Sequence, residues 1–126
     1  IRQESLWDEK AGSTAGALGL TQVIPPTGQA IAGELGVSAF RAEDLFRPSV
    51  ALRFGAYYIA AQIAKYGTPW AALSAYNAGP GAADRWTRAA GRAAAADYIE
   101  VVDYSETHAY VAYVLDHYAR YTAEYR

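Results

Sequence analysis

Residues 48–66 read PSVALRFGAYYIAAQIAKY and are followed by Gly67. Pro48 suits a first helical position, where its missing N–H has no helical partner to lose, and Gly67 suits a left-handed stop. Between them Val50, Phe54, Tyr57, Ala61 and Ala64 line one side, and Leu52, Ile59 and Ile63 another. Apolar side chains therefore occupy most of the circumference, which predicts a helix buried at the centre of the fold.

The flanking chain carries the same punctuation. One helical pattern runs from Pro69 to Gly79, a second from Pro80 to near Gly91, and the last from about Ser105 to Tyr125. In the last, Val111, Val114, Leu115 and Tyr118 follow helical spacing, with Tyr110, Tyr113 and Tyr121 on a neighbouring stripe. Upstream, Leu18 to Ile24 reads as a short helix stopped by Pro25 and Pro26, and Thr27 to Leu35 as another that ends at Gly36. Between Ala93 and Tyr104 the signals conflict, an Ala run favouring helix and Tyr98-Ile-Glu-Val-Val102 favouring extended chain. Alternating β-branched runs bounded by turns are missing, so the expected class is all-α, with about six to eight helices.

Composition narrows the function classes. The 126 residues are 52% apolar, 13% aromatic and 19% charged, which fits a single domain over residues 1–126. Since 28 of the apolar residues are Ala, the large-residue core must come from Leu, Ile, Val and the aromatics, of which 11 are Tyr. The net charge is −2 and the 11 Lys and Arg are scattered, which argues against nucleic acid or an anionic membrane as partner. The stretch Val50 to Ala64 carries Arg53 and Gln62 and is too short and polar to span a bilayer. The absence of Cys leaves the redox compartment open. The chain opens on Ile1 with no signal-peptide pattern, and the expectation is a mature product or an excised, N-terminally trimmed part of a longer chain.

Without Cys, and with only His108 and His117, nucleophilic triads and zinc sites have little material, so no metal and no cofactor is expected. Carboxylates and uncharged polar groups remain, the tools of glycoside chemistry. Glu4 precedes Ser5, Leu6 and Trp7, and apolar neighbours would raise its carboxyl pKa toward that of a general acid. Against this, a lone Glu on a helix is ordinarily a solvated charge. Residues 13–22, STAGALGLTQ, combine small residues with Gln22, whose amide both donates and accepts. Residues 75–81, AYNAGPG, place Tyr76 and Asn77 at a helix end, which also reads as a plain cap and turn. Asp8, four residues after Glu4, could supply the second carboxylate of a hydrolase, and Glu106 could simply favour the dipole of its helix.

Taken together, Glu4-Ser5, the AGAxGLxQ pattern at Ala15 to Gln22 with Pro25 or Pro26 after it, AYNAGPG at Ala75 to Gly81 and ETxxYV at Glu106 to Val111 resemble the catalytic domain of the soluble lytic transglycosylase family. The resemblance implies a lysozyme-like fold with a saccharide-binding groove. It implies cleavage of the β-1,4 bond between N-acetylmuramic acid and N-acetylglucosamine in peptidoglycan, leaving a 1,6-anhydromuramic end. By position, Glu4 matches the single acid and base, and Ser13 and Gln22 match groups near the reacting sugar. Tyr76 and Asn77 match the cleft tyrosine and its neighbour, and Glu106 matches an acidic saccharide contact. The implied partner is the peptidoglycan glycan strand, in the periplasm or cell envelope, with a larger envelope or secretion-system assembly as a further setting. Thr14, Thr21, Ile24 and His108 depart from the family pattern. Two other functions fit the residues: a hydrolytic muramidase, and a non-catalytic glycan-binding module using the Tyr faces.

Overall fold

Four helices start at a proline, and three of these prolines sit at the first or second helical position, where the ring fits and no hydrogen bond is lost. They begin α2 (Pro25–Glu34), α4 (Pro69–Ala78) and α5 (Pro80–Ala90) in a computed structural model that describes residues 1–125. The remaining helices are α1 (Arg2–Ser5), α3 (Pro48–Tyr66), α6 (Ala95–Glu100) and α7 (Ser105–Glu124), with a 3-10 helix at Ala42–Phe46. Gly79, at φ 86°, ends α4 and caps α5, a left-handed turn that lets two helices abut without a linker. In the disputed 93–104 stretch the Ala run prevails as far as Glu100, and α6 is the result.

The chain packs as two compact units, the first Ile1–Tyr58 and the second from Ile59 on. In the first, Val23, Ile31, Ala32, Leu45 and Phe54 form the buried cluster, with Phe40 stacked on Phe54 at 5.3 Å between centroids. In the second, Trp86 packs with Ala71, Tyr98 and Val102, and Leu73 packs with Tyr110 and Val111.

Two expectations are corrected. The most buried helix is α4, whose residues Ala71–Ala75 are all buried, whereas α3 leaves Leu52 and Ile63 about two-fifths exposed. Small side chains let neighbours close around α4, while the apolar girdle of α3 is covered only in part. Residues 18–24 are not helical. Gly19 and Gln22 take positive φ (71° and 51°), and Leu18 instead bridges to Gly12 and Val23 in an antiparallel fashion. Gly19 is required there, because a Cβ would overlap the backbone carbonyl oxygen of Leu45. Pro25 and Pro26 accordingly start α2 rather than stop a helix before it. On α7 the stripe Val111, Val114 and Leu115 packs against the core while its last member Tyr118 is exposed, and of the neighbouring stripe Tyr110 is buried but Tyr113 and Tyr121 are exposed.

Candidate active site

In the first unit, α1 is a single turn that ends with Leu6 and Trp7 both at positive φ (51° and 69°). Ser5 is buried, and its hydroxyl donates to the Leu20 carbonyl at 2.9 Å, fastening the turn that carries Glu4 to the 11–24 loop. Glu4 itself is half-buried. The reversed backbone leaves Leu6 and Trp7 81% and 61% exposed. The same reversal takes Asp8 off the helix. Its carboxylate accepts the Lys10 N–H at 2.9 Å, and Glu4 and Asp8 do not share a helical face.

The loop after it is closed by its own polar side chains. Ser13 Oγ accepts the Ala17 N–H at 3.0 Å, while the Ser13 N–H reaches the Ala17 carbonyl at the same distance. Gln22 Nε2 donates to the carbonyls of Gly19 (3.0 Å) and Ala11 (3.3 Å), which uses both amide hydrogens and leaves its oxygen as the ligand-facing option. Thr21, buried, donates to the Ala51 carbonyl at 2.8 Å and fills the space that Gly55 leaves on α3. The Ser5 bond to Leu20 thus ties the turn that carries Glu4 to the loop that carries Ser13 and Gln22.

The second unit holds a pocket of about 460 Å³ between the end of α4 and the start of α7. Asn77 and Glu106 line it, with Asp103, Tyr104, Ser105 and Thr107. Thr107, 2% exposed, donates to Asn77 Oδ1 at 2.7 Å, which fixes that amide and turns its NH2 edge toward other partners. Tyr76 lies half-buried one residue before, on α4, and is not among the pocket's lining. The turn after Asn77 is held from α3, where the Tyr66 hydroxyl lies 2.7 Å from Asp84 Oδ1 and 3.2 Å from the Pro80 carbonyl. Asp84 is held below the usual carboxylate range, first by that tyrosine and further by Lys65 at 3.3 Å.

Asp103 and Tyr104 escaped the sequence reading. Asp103 Oδ1 accepts the Trp86 indole N–H (2.8 Å) and pairs with Arg85 (2.6 Å), both on α5. Its pKa is lowered, first by the indole, with partial desolvation opposing and Arg85 adding to the effect. The only local signal was position, since the two residues lie three and two positions before the ETxxYV block that begins at Glu106. Among the described residues no cluster of three or more His, Cys, Asp or Glu could hold a metal, and no helix is long and apolar enough to cross a membrane.

The sequence profile of the transglycosylase SLT domain matches residues 1–99. This chain belongs to that family. A soluble lytic murein transglycosylase of Salmonella typhimurium is 35% identical over 123 residues, covering 95% of this chain and 19% of that relative. The chain thus spans about a fifth of the relative's length. A complex of the 70 kDa soluble lytic transglycosylase with bulgecin A superposes with a TM-score of 0.85 at 33% identity, over 97% of this chain and 21% of the other. An inactive Glu-to-Gln mutant of the lytic transglycosylase Slt from Pseudomonas aeruginosa gives a TM-score of 0.80 at 33% identity, over 87% and 18%. The all-α, lysozyme-like fold expected from the motifs is the fold of this SLT domain. The match contains Glu4, Ser13, Gln22, Tyr76 and Asn77, whereas Glu106 lies beyond it.

Proposed function

We propose that residues 1–126 form the catalytic domain of a peptidoglycan lytic transglycosylase, with Glu4 as its single acid and base. The observation that carries this reading is the family match across residues 1–99, which takes in Glu4 and the motif around Asn77. The muramidase alternative needs a second carboxylate. Its candidate, Asp8, is off the Glu4 helix and held by the Lys10 N–H. The inactive Glu-to-Gln form of the Pseudomonas aeruginosa relative supports the need for a glutamate.

In this reaction the Glu4 carboxyl protonates the glycosidic oxygen between N-acetylmuramic acid and N-acetylglucosamine as the C1–O bond breaks. The substrate's N-acetyl group stabilises the positive charge at C1. The C6 hydroxyl then closes on C1 and returns its proton to the Glu4 carboxylate, so no water is consumed and a 1,6-anhydro end forms. Ser13 and Gln22 are assigned to the reacting sugar, with the Gln22 amide oxygen available to a substrate donor. Tyr76, Asn77 and Glu106 are assigned to glycan binding, Asn77 through the NH2 that Thr107 orients. The substrate places the protein in the periplasm or cell envelope, and a larger envelope or secretion-system assembly is a setting compatible with it.

Mass spectrometry of muropeptides released from purified peptidoglycan, by this protein and by Glu4→Gln, tests the reading. Products one water lighter than reducing muropeptides are expected, falling about 10²- to 10⁴-fold with the variant. Reducing ends would establish a muramidase instead. Anhydro products undiminished by Glu4→Gln would remove Glu4 from the mechanism, and no products at all would favour a glycan-binding module.

A further inference from the structure

Tyr104 is 47% exposed although three neighbours hold it in place. The Trp86 ring meets it edge to face, with centroids 5.1 Å apart and planes at 88°. The Arg85 guanidinium lies over its ring at 5.3 Å and over the Trp86 ring at 5.4 Å. Arg85 is itself fixed by Asp103 at 2.6 Å, and Asp103 is fixed by the indole N–H of Trp86, which is 1% exposed. Hydrogen bonding to Tyr104 and to Asp103 also strengthens the protonation of Arg85. The clamp therefore reaches from the buried core of the unit to a surface tyrosine.

A bare surface tyrosine rotates freely and gains little by meeting a ligand, because ordering it costs entropy. Here that cost is met on folding. The exposed part of the ring borders the pocket that also holds Asn77 and Glu106, so one ligand can meet a flat aromatic surface, an amide and a carboxylate together. That combination suits a pyranose: an aromatic face packs against ring C–H groups, while an amide and a carboxylate bind hydroxyl and acetamido groups at the edge. An anionic ligand is less suited, because the nearest cation is already paired with Asp103 and the pocket wall carries two carboxylates.

We infer that Tyr104 is a sugar-stacking platform of this domain, held ready by Arg85, Asp103 and Trp86, and that it binds an N-acetylated pyranose unit of the glycan strand. Arg85 and Asp103 are positioning residues in this scheme, since they act through the ring. The inference rests on the glycan-cleaving reading and adds to it a specificity-determining residue outside the matched residues 1–99.

The test uses the Glu4→Gln background, so that ligand is not consumed. Solubilised, uncrosslinked strands of alternating N-acetylglucosamine and N-acetylmuramic acid are titrated calorimetrically against this protein, against added Tyr104→Ala and Tyr104→Phe, and against added Arg85→Ala. Melting curves for each protein verify the fold. Tyr104→Ala is expected to weaken binding about tenfold, Tyr104→Phe to stay within about twofold, and Arg85→Ala to fall between them. In the Glu4-intact enzyme, Tyr104→Ala should raise KM with little change in kcat. Unchanged affinity in a folded Tyr104→Ala protein that still binds strands would overturn the platform and leave the enzymatic reading standing. Equal losses in Tyr104→Ala and Tyr104→Phe would overturn stacking in favour of the hydroxyl. Absence of binding in the parent and all variants would remove both the platform and the glycan reading.

Discussion

The two units hold their candidate site residues by different means. In the first, Ser5, Gln22 and Thr21 each spend side-chain donors on backbone carbonyls, so an irregular loop is shaped by groups that look like ligand contacts in the sequence. In the second, side chains from different segments hold one another: Thr107 with Asn77 across two helices, and Arg85 and Trp86 of α5 with Asp103 of the connection before α7. The contrast teaches that the first site is encoded largely in backbone conformation and the second in pairs of side chains. Backbone changes should therefore break the first, and isosteric side-chain changes the second.

Gly19→Ala is the severest test of the first half of that contrast. The added methyl meets the Leu45 carbonyl and imposes a positive φ on an L-residue, an expected loss of about 2–4 kcal/mol, read by denaturant unfolding. A loss under about 1 kcal/mol would mean that the loop is not pinned at this point. Thr107→Val keeps the shape and removes the donor to Asn77. It should cost about 1–2 kcal/mol and raise KM, because Asn77 loses its orientation while the first unit is untouched. Ser5→Ala should cost about 1 kcal/mol through the missing bond to Leu20, with an accompanying loss of activity because the Glu4 turn is loosened. Activity unaffected by Ser5→Ala would separate the anchoring of that turn from the chemistry.

The smallest effect concerns acid. Asp103 has its folded pKa depressed below the unfolded value near 3.8, so its contribution is complete above that value and fades as pH falls through the lower folded one. Melting temperature should therefore drop more steeply below about pH 4 in the parent than in Asp103→Asn, which has no carboxylate there to titrate. Parallel curves would show that Asp103 does not contribute to the acid sensitivity of the second unit.

Several features were legible in the residues. Pro48, Pro69 and Pro80 and the glycines at 67, 79 and 91 bracket α3, α4 and α5 almost to the residue, because both residue types act through their own φ. The family motifs were legible for a related reason, since each is a short stretch of contiguous residues. The 18–24 loop was misread because Leu18, Leu20, Val23 and Ile24 supply apolar spacing that a helix would also use. Only the need to pass the Leu45 carbonyl makes Gly19 a turn residue. The exposure of Leu6 and Trp7 was illegible for a similar reason, as nothing in Leu6-Trp7 itself announces two consecutive left-handed residues.

By itself the sequence determined the helical class, most helix limits and the candidate residues Glu4, Ser13, Gln22, Tyr76, Asn77 and Glu106. These follow from conformational preferences and motifs acting over a few neighbouring positions. Tertiary structure alone decided that α4 rather than α3 is the most buried helix, that Asp8 parts from Glu4, and that Asp103 braces the platform of Tyr104. The decisive contacts join residues 15, 17 and 30 positions apart, Ser5 to Leu20, Trp86 to Asp103 and Asn77 to Thr107. A donor finds its acceptor over such separations only after the apolar faces have packed, because packing sets which segments meet and what is left in reach.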